Sequence, residues 1–321
     1  MHNALTDIPG LQVGHWTNLE AATGCTVILC GAGAVAGVDV RGGAPGTREL
    51  ALLDPLCSVE RVHAIMLAGG SAFGLAAADG AMRWLEEHNV GYDVGVAKVP
   101  IVPTAILFDL PLGNPKVRPD AAAGYAACQA ATAGPVAEGN VGAGTGATVG
   151  KLLGFQQATK GGLGTASTEI GRGIIIAALA VVNAAGDVVD PQTGTILAGA
   201  RRPLIGGFAN SMNLAESMLG QTLHQLANRN TTLAVIATNV ALSKVGATKV
   251  AQMAHDGLAR SIRPVHTAID GDLVFALSLG DKTGDASLVG AVAADLLAQA
   301  VVRAVLAAEK LHGIPAARDL R

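Results

Sequence analysis

The fold of this chain is constrained most by long runs of apolar and β-branched residues that contain no charge. Such runs occupy residues 173–183, 233–238 and 273–278. A half-buried strand alternates apolar and polar side chains, so a run without alternation is typical of a strand covered on both faces. Strands are predicted over residues 24–30, 35–40, 64–67, 105–108, 173–183, 233–238 and 273–278.

Helical patterns are interspersed with these strands. In residues 243–260, Ser243 is a candidate N-cap and apolar residues recur at helical spacing. The chain also has 42 glycines, about twice the usual share, mainly in turns between short apolar runs. Helices are predicted over residues 74–87, 120–131, 213–228, 243–260 and 287–312. Together these features predict an α/β protein whose sheet is buried on both sides.

The charge distribution argues against two kinds of partner. The chain has a net charge of -3, two Tyr, two Trp and no cluster of Lys or Arg, so it lacks the basic surface that binds nucleic acid. The longest apolar segment, residues 288–308, is rich in Ala and interrupted by Asp295 and Arg303, which favours a core helix over a membrane span. A small neutral or mixed-charge ligand is expected, with no nucleic-acid or membrane partner.

Other sequence features bear on location and metals. The first ten residues lack the order of a signal peptide, so a cytoplasmic location is expected. The cysteines occur singly in apolar surroundings, which predicts small core residues rather than a zinc site or disulfides. They are Cys25, Cys30, Cys57 and Cys128. The histidines do not pair at helical spacing, so His255 and His266 are interpreted as structural or surface residues and no metal site is predicted.

Two glycine-rich segments match known motifs only in part. In residues 142–151, a threonine takes the first glycine position of a phosphate-binding loop, and a leucine follows the lysine where Ser or Thr is needed. The segment GGSAFG at residues 69–74 lacks the last glycine of the Gly-x-Ser-x-Gly elbow. It lies between a predicted strand and a predicted helix, so the backbone N–H groups of Gly70 and Ser71 are candidates for binding an oxyanion.

The segment NRNTTL at residues 228–233 places two threonines at the start of a buried strand. A threonine hydroxyl is a weak nucleophile, but an N-terminal threonine has its own α-amine, with a pKa of about 8, as a base. Cleavage of the Asn230-Thr231 bond would create that amine: the hydroxyl attacks the preceding carbonyl, the acyl group moves from nitrogen to oxygen, and water releases a new terminus. Such a pair also commonly marks a turn that leads into a strand.

Several motifs spread over the chain occur together in one family. They are DIPGLQVGH from Asp7, RGGAPGTRE from Arg41, LAGGSAFGL from Leu67, GNVGAGTG from Gly139, KGGLGTAS from Lys160, VNAAG from Val182, NTT from Asn230 and DGD from Asp270. With these motifs the chain resembles, over nearly its whole length, the self-cleaving N-terminal-nucleophile hydrolases. That family includes the DmpA-type aminopeptidases, the β-aminopeptidases and the nylon-oligomer hydrolases. The resemblance implies that Thr231 is both the cleavage point and the nucleophile, as in the nylon-oligomer branch.

Roles for further residues follow from their positions and from the resemblance. Asn183 ends a long apolar strand, where its amide can donate to an oxyanion; a turn asparagine is the alternative. Asp270 and Asp272 are one residue apart at the head of a strand, so both carboxylates should point to one face and share a nearby ammonium. An Asp-Gly-Asp hairpin turn is the alternative there. The resemblance places the amine of Lys160 near the nucleophile, and Lys151 is the other candidate lysine.

The resemblance also implies a four-layer αββα sandwich, shared with ornithine acetyltransferases, in a single domain over residues 1–321. Cleavage would give fragments 1–230 and 231–321, and several such heterodimers would form an oligomer. The expected activity is hydrolysis of amide bonds in small peptides or amide oligomers through an acyl-enzyme, without a cofactor. The aminopeptidase branch carries Ser and Glu in place of Asp270 and Asp272, which argues against an ordinary aminopeptidase. Acyl transfer of the ornithine-acetyltransferase kind and a non-cleaving small-molecule binding protein are the alternatives.

Overall fold

The computed structural model of the protein describes residues 1–217 and 230–320. Within these ranges it contains sixteen strands and five α-helices. The strands are β1 (Gln12–Asn18), β2 (Thr23–Val40), β3 (Thr47–Arg48), β4 (Arg61–Ala68), β5 (Tyr92–Asp93), β6 (Lys98–Val99), β7 (Thr104–Ile106), β8 (Thr148–Val149), β9 (Thr159–Lys160), β10 (Gly162–Ile170), β11 (Ile174–Asn183), β12 (Asp187–Val189), β13 (Ile196–Ala198), β14 (Thr231–Val240), β15 (Ile262–Arg263) and β16 (Leu273–Lys282). The helices are α1 (Ala77–Glu87), α2 (Ala121–Gln129), α3 (Ser211–Ser217), α4 (Lys244–Ser261) and α5 (Ala286–Ala307).

Nine strands form one hydrogen-bonded sheet, in the order β10-β11-β14-β16-β2-β4-β7-β3, with β1 also paired to β2. The long strand β2 pairs with β1 and β4 mainly through its first half and with β16 through its second half. The register shifts between Leu29 and Ala34, where Gly33 has a φ of 78°. Glycine adopts this φ without steric cost, so β2 can bend there and bring the two halves of the sheet face to face.

Alternating side chains along the strands show how the two halves pack. In β14, Leu233 and Val235 point into a central core that also receives Ile65 and Leu67 from β4 in the other half. Ile236 of β14 points the opposite way, into a core that it shares with α4 and α5. The central core is therefore enclosed between two layers of sheet.

The outer face of the half-sheet that contains β4 is covered by the helices α1 and α2. Met66 and Ala68 of β4 pack there against Ala77 and Ala81 of α1 and against α2. The order of layers is thus helices, half-sheet, half-sheet, helices. This arrangement confirms the four-layer αββα sandwich that the family resemblance implies.

The strand pattern needs two corrections. The strands predicted over residues 24–30 and 35–40 are parts of the single strand β2. The sequence pattern also misses β1 and β10, and in β10 the reason is packing. A Cβ atom at Gly162 would lie 2.6 Å from the carbonyl oxygen of Ala304, and one at Gly164 would lie 2.2 Å from that of Ala300, both on α5. Glycine in β10 marks a closely packed helix rather than a turn.

The predicted helices are found with shifted ends. Of the helix predicted over residues 213–228, the structure shows α3, and residues 218–228 lie outside the described ranges. Ser243 caps α4 as predicted, because its hydroxyl oxygen accepts a hydrogen bond from the N–H of Gly246. By length and composition α5 could cross a membrane, yet 61% of its most apolar window is buried inside the protein, so it packs as a core helix. All four cysteines are free, and three of them are buried.

Candidate active site

Three strand ends meet at one edge of the half-sheet that contains β11, β14 and β16. β11 runs antiparallel to β14, and its last residue, Asn183, pairs with Thr231, the first residue of β14. β16 runs parallel to β14, and its first residue pairs with the third residue of β14. The residues that precede β16, including Asp270 and Asp272, therefore lie beside the start of β14. The topology of the sheet collects these residues around Thr231.

The carbonyl oxygen of Asn230 accepts two hydrogen bonds at this edge. The hydroxyl of Thr231 donates one, and the backbone N–H of Gly271 donates the other over 2.8 Å. A Cβ atom at residue 271 would lie 2.8 Å from Thr231 Oγ1, which is closer than Cβ atoms approach other atoms in proteins. Glycine at this position therefore lets a peptide N–H and the hydroxyl reach the same carbonyl.

Asp272 is buried and holds the backbone just after Thr231. Its Oδ1 accepts a hydrogen bond of 2.6 Å from the N–H of Thr232. Its Oδ2 accepts one of 3.0 Å from the N–H of His266 and lies 2.9 Å from Nδ1 of the same histidine. Thr232 thus takes part through its backbone, since its hydroxyl has no hydrogen-bond partner among the described residues.

Asp270 is also buried, on the other side of Gly271. Its carboxylate accepts hydrogen bonds from the N–H and the hydroxyl of Thr267, and a longer one of 3.4 Å from the N–H of Ala185. Burial, together with the negative charge of Asp272, raises the pKa of Asp270 to about 6. Each carboxylate of the DGD motif is held by its own backbone donors.

Lys151 is the lysine that reaches these strand ends. Its Nζ donates hydrogen bonds of 2.9 Å to both the side-chain Oδ1 and the main-chain oxygen of Asn183. Burial lowers the pKa of Lys151 to about 7, while the charge of Asp270 acts in the opposite direction. A buried amine with a pKa near neutrality can hold or release a proton at physiological pH.

The side-chain amide of Asn183 is fixed in one orientation. Its Oδ1 accepts hydrogen bonds from the ammonium of Lys151 and from the N–H of Thr148, and both of these groups are donors. Nδ2 therefore faces away from them and donates a hydrogen bond of 3.1 Å to the carbonyl oxygen of Phe108. Phe108 lines the cavity beside Thr231, so the donor end of the amide faces the cavity wall.

Lys160 is fully buried and contacts different groups. Its Nζ donates hydrogen bonds to the carbonyl oxygens of Ala147 at 2.6 Å and Gly161 at 3.1 Å. Burial lowers the pKa of Lys160 to about 7, and the charge of Asp109 acts against that shift. Within the described ranges, no hydrogen bond joins Lys160 to Thr231, Asn183 or the DGD motif. Lys160 thus holds the backbone of residues 144–147, and it influences Asp109 through its charge.

The first N–H groups of the GGSAFG loop donate hydrogen bonds to other groups of the protein. The N–H of Gly70 donates a hydrogen bond of 2.7 Å to Oδ1 of Asp109, and the N–H of Ser71 donates one of 2.9 Å to the carbonyl oxygen of Leu107. Burial raises the pKa of Asp109 to about 6. In the uncleaved chain the two N–H groups are thus engaged, and Ser71 contributes to the wall of the cavity.

A cavity of about 280 Å³ opens beside Thr231. Its volume is near the lower end of the range of roughly 300–1,000 Å³ for small-molecule sites. Among the described residues, those that line it carry no charge and are mostly small or apolar: Ala44, Pro45, Gly46, Ser71, Ala72, Ile106, Phe108 and Thr231. The described residues include no cluster of three His, Cys, Asp or Glu side chains able to hold a metal ion.

Sequence reasoning misses several residues of this site. Gly271 looks like a spacer between two aspartates, although a glycine between two candidate catalytic residues is itself a signal of close backbone approach. Asp109 follows a predicted strand and carries no motif of its own. His266 lies four residues before the DGD motif, and its ring contact with Asp272 arises from the turn between them.

The fold and the site together define a class of enzyme. A buried threonine begins a strand of an αββα sandwich, directly after a carbonyl that accepts an N–H hydrogen bond. An amide, two carboxylates and an amine of lowered pKa surround it. A threonine nucleophile with an amide donor and titratable groups beside it is the arrangement expected of an N-terminal-nucleophile hydrolase.

Comparisons with known proteins agree with this class. The profile of Peptidase family S58 matches residues 3–318, and the chain belongs to that family. It is 47% identical to a protein of Mycobacterium bovis named as an uncharacterized aminopeptidase, over 99% of this chain and 98% of that protein. It is 32% identical to the 6-aminohexanoate-oligomer endohydrolase of Agromyces sp. (strain KY5R), over 93% of this chain and 84% of that enzyme.

Solved structures show the same fold. The β-aminopeptidase of Burkholderia sp. has a TM-score of 0.72 and 24% identity, covering 98% of this chain and 89% of that one. The L-aminopeptidase D-Ala-esterase/amidase of Ochrobactrum anthropi, described as a variant of the Ntn-hydrolase fold, has a TM-score of 0.72 and 23% identity, covering 97% and 87%. The resemblance to self-cleaving hydrolases is confirmed at the level of family and fold, and the chain is a peptide or amide hydrolase.

Proposed function

We propose that the chain is made as a precursor that cleaves itself between Asn230 and Thr231, and that Thr231 then acts as the nucleophile of an amide hydrolase. The shared carbonyl is the observation that supports this proposal. The Asn230 oxygen accepts hydrogen bonds from the Thr231 hydroxyl and from the N–H of Gly271. An N–H donor on a carbonyl stabilises the negative charge that develops on the oxygen when the carbon is attacked.

In the cleavage step, Oγ1 of Thr231 forms a bond to the carbonyl carbon of Asn230. The carbon–nitrogen bond breaks, and the nitrogen, which gains the hydroxyl proton, becomes the α-amine of Thr231. The resulting ester is hydrolysed by water to a carboxyl group on Asn230 and a free hydroxyl on Thr231. The hydrogen bond from the Thr232 N–H to Asp272 keeps the new terminus at the site.

The two fragments, 1–230 and 231–321, share one sheet. β14 belongs to the second fragment and pairs with β11 of the first, and β16 of the second pairs with β2 of the first. The hydrophobic cores on both faces of β14 combine residues of both fragments, so cleavage of one peptide bond leaves the packing intact. Assembly of such heterodimers into an oligomer and a cytoplasmic location are part of the same proposal.

In the mature enzyme the same groups would act on a substrate. The hydroxyl of Thr231 attacks the substrate carbonyl, and the α-amine of Thr231 accepts and returns the proton. Asn183 donates to the developing oxyanion through Nδ2. Lys151, with two hydrogen bonds to Asn183, fixes that amide and supplies a group that titrates near neutrality. Lys160 holds the segment 144–147 through hydrogen bonds to the carbonyl oxygens of Gly144 and Ala147.

Small peptides and linear amide oligomers are the substrate class that we propose. The cavity beside Thr231 offers no charged lining group among the described residues, which favours a small uncharged acyl chain next to the scissile bond. Of the relatives, one is named an aminopeptidase and another a hydrolase of 6-aminohexanoate oligomers. An amide bond flanked by short apolar segments fits the oligomer hydrolase better than the aminopeptidase, whose substrates carry an ammonium group next to the scissile bond.

Intact-mass measurement and N-terminal sequencing of the purified protein test the cleavage. The expected result is two polypeptides, of which the smaller begins at Thr231. Thr231→Ala should give one uncut chain without hydrolase activity, whereas Thr231→Ser should still cleave. A protein that hydrolyses short amide oligomers while Asn230 and Thr231 stay joined would overturn the assignment of the nucleophile.

A further inference from the structure

Two histidines continue from Asp272 away from the nucleophile. Nδ1 of His266 lies 2.9 Å from Oδ2 of Asp272, and its Nε2 lies 3.2 Å from Nδ1 of His255. Nε2 of His255 lies 3.0 Å from the carbonyl oxygen of Asp39. The side chain of His255 is fully buried, and that of His266 is 17% exposed. Asp272, His266 and His255 are called the imidazole chain below.

The three contacts of the imidazole chain require three protons, because each hydrogen bond needs one proton between its heavy atoms. The carbonyl oxygen of Asp39 can only accept, so Nε2 of His255 carries a proton. A neutral imidazole has one ring proton, so two neutral rings supply two protons in all. An ionised Asp272 supplies none. One additional proton must therefore be bound within the imidazole chain.

The surroundings of His255 indicate where this proton lies. Burial lowers the pKa of His255 to about 4, so this ring is neutral at pH 7 and its Nδ1 accepts from Nε2 of His266. The additional proton then lies between Nδ1 of His266 and Oδ2 of Asp272. The pair is either an imidazolium with a carboxylate or a neutral ring with a carboxylic acid, and its net charge is zero in both cases.

The other charged groups around the imidazole chain are few within the described ranges. On β2, Asp39 faces His255 at 3.5 Å through Oδ2, and the same oxygen accepts a hydrogen bond of 2.7 Å from Arg41. On the side of the nucleophile, Asp270 is close enough for the charge of Asp272 to raise its pKa. Lys151 lies beyond both carboxylates and is influenced by the charge of each.

We propose that His266 and His255 are positioning residues of the hydrolase, which hold one proton beside Asp272. This inference rests on the proposed role of Thr231. Asp270 and Asp272 are buried one residue apart, and two full negative charges there would repel each other. The bound proton cancels one of these charges, while Oδ1 of Asp272 still accepts the hydrogen bond from Thr232. Without this proton, the second negative charge would favour the charged form of the α-amine of Thr231, which cannot act as a base, and the reaction would slow.

Nuclear magnetic resonance can count the protons directly. The sample is the uncut Thr231→Ala precursor with ¹⁵N-labelled histidine and ¹³C-labelled aspartate, and His266→Asn and His255→Gln assign the ring signals. At pH 7 we expect a neutral His255 with its proton on Nε2, together with either a doubly protonated His266 or a protonated Asp272. In Asp272→Asn the amide can donate to His266, so two neutral rings are expected. Two neutral rings beside an ionised Asp272 in the parent protein would overturn the proposal.

The pH profile of the active enzyme separates positioning from simple structural support. In His266→Asn an amide N–H can replace Nδ1–H but cannot lose its proton, whereas His266→Leu removes the donor. We expect His266→Asn to keep neutral-pH turnover within about threefold and to change the shape of the pH profile relative to the parent enzyme, and His266→Leu to lose about tenfold or more. His88→Asn, at an exposed histidine of the same protein, is the control with an unchanged profile. Equal losses for both His266 variants, with an unchanged profile, would contradict the proposal.

The two experiments also separate this inference from the proposed function. The proton count is measured on a variant that cannot turn over, so it stands even if Thr231 proves not to be the nucleophile. Conversely, a correct nucleophile with no additional proton in the imidazole chain would refute only the role of the histidines.

Discussion

The backbone N–H of Gly271 donates a hydrogen bond of 2.8 Å to the carbonyl oxygen of Asn230, which belongs to the peptide bond before the first residue of β14. The two residues are 41 positions apart and meet because β14 and β16 run parallel from the same edge of the sheet. A donor on this carbonyl polarises the bond that the proposed cleavage breaks. The glycine of the DGD motif thus contacts the proposed cleavage site directly, in addition to the two aspartates.

Gly271→Ala should slow self-cleavage by a factor of about 100 or more, because the new methyl group would meet Oγ1 of Thr231 at 2.8 Å and move the N–H of residue 271 away from the Asn230 carbonyl. Loss of one such donor typically costs about 3 kcal/mol of transition-state stabilisation. The uncut fraction on denaturing gels, followed with time after synthesis, measures the effect. Gly246→Ala on α4 is the matched control, since its nearest contact would be an ordinary 3.5 Å. Normal cleavage in Gly271→Ala would show that cleavage does not need the close approach of residue 271 to Thr231.

Lys151→Met and Lys160→Met should fail in different ways. Lys151→Met removes both hydrogen bonds to Asn183, so processing and turnover should fall about 100-fold or more while the chain still folds. Lys160→Met leaves buried carbonyl groups and Asp109 without their cation, so it should destabilise the fold by about 3 kcal/mol. Cleavage assays and urea unfolding curves, measured for both variants, separate the two effects. The opposite pattern would assign the catalytic lysine to Lys160.

Ala72→Phe should narrow the cavity beside Thr231 without disturbing the core. Ala72 lines the cavity and is exposed, so a larger side chain has solvent on one side. We expect KM for a long amide oligomer to rise about tenfold, a typical cost of crowding a small pocket, while self-cleavage stays normal. Steady-state kinetics with a short and a long oligomer test this. An unchanged ratio of kcat/KM between the two substrates would place the acyl group elsewhere.

The lowered pKa of Lys151 predicts a pH dependence of stability. Its pKa falls from 10.5 to about 7 on folding, so between these values the native state binds fewer protons than the unfolded state. Stability therefore rises with pH over this window, by at most about 1.4 kcal/mol per pH unit for one group. Urea unfolding of the Thr231→Ala precursor at pH 7 and pH 9 should show this gain. Lys151→Met in the same background should gain less, and an equal gain would mean that Lys151 is not the titrating group.

The layers of the fold could be predicted well from local patterns and the resemblance. Uncharged runs such as 233–238 marked the strands with two covered faces, and the strand β14 covers that run. β10 could not be predicted in the same way, because its glycines allow close packing against α5, which lies at residues 286–307. The glycine bend in β2 likewise joins what the pattern divides into two strands.

For the candidate site too, some residues could be predicted from the sequence and others only from the structure. Thr231, Asn183, Asp270 and Asp272 carry polar groups at the ends of apolar strands, and their strand positions can be read from the chain itself. Their pairing across β11, β14 and β16 adds the geometry. The choice between Lys151 and Lys160 could not be made from the chain, since both are lysines in glycine-rich segments and both are buried.

The sequence alone thus determined the kinds of elements and the chemistry of the strand ends, because hydrophobic periodicity and polar termini are local properties of a chain. Only the tertiary structure decided that Lys151 contacts Asn183, that Gly271 reaches the Asn230 carbonyl, and that two histidines extend from Asp272. Each of these contacts joins loop residues whose positions are fixed only after the sheet has folded. Local sequence patterns do not specify such contacts, because they depend on burial and on the direction of the backbone in the folded protein.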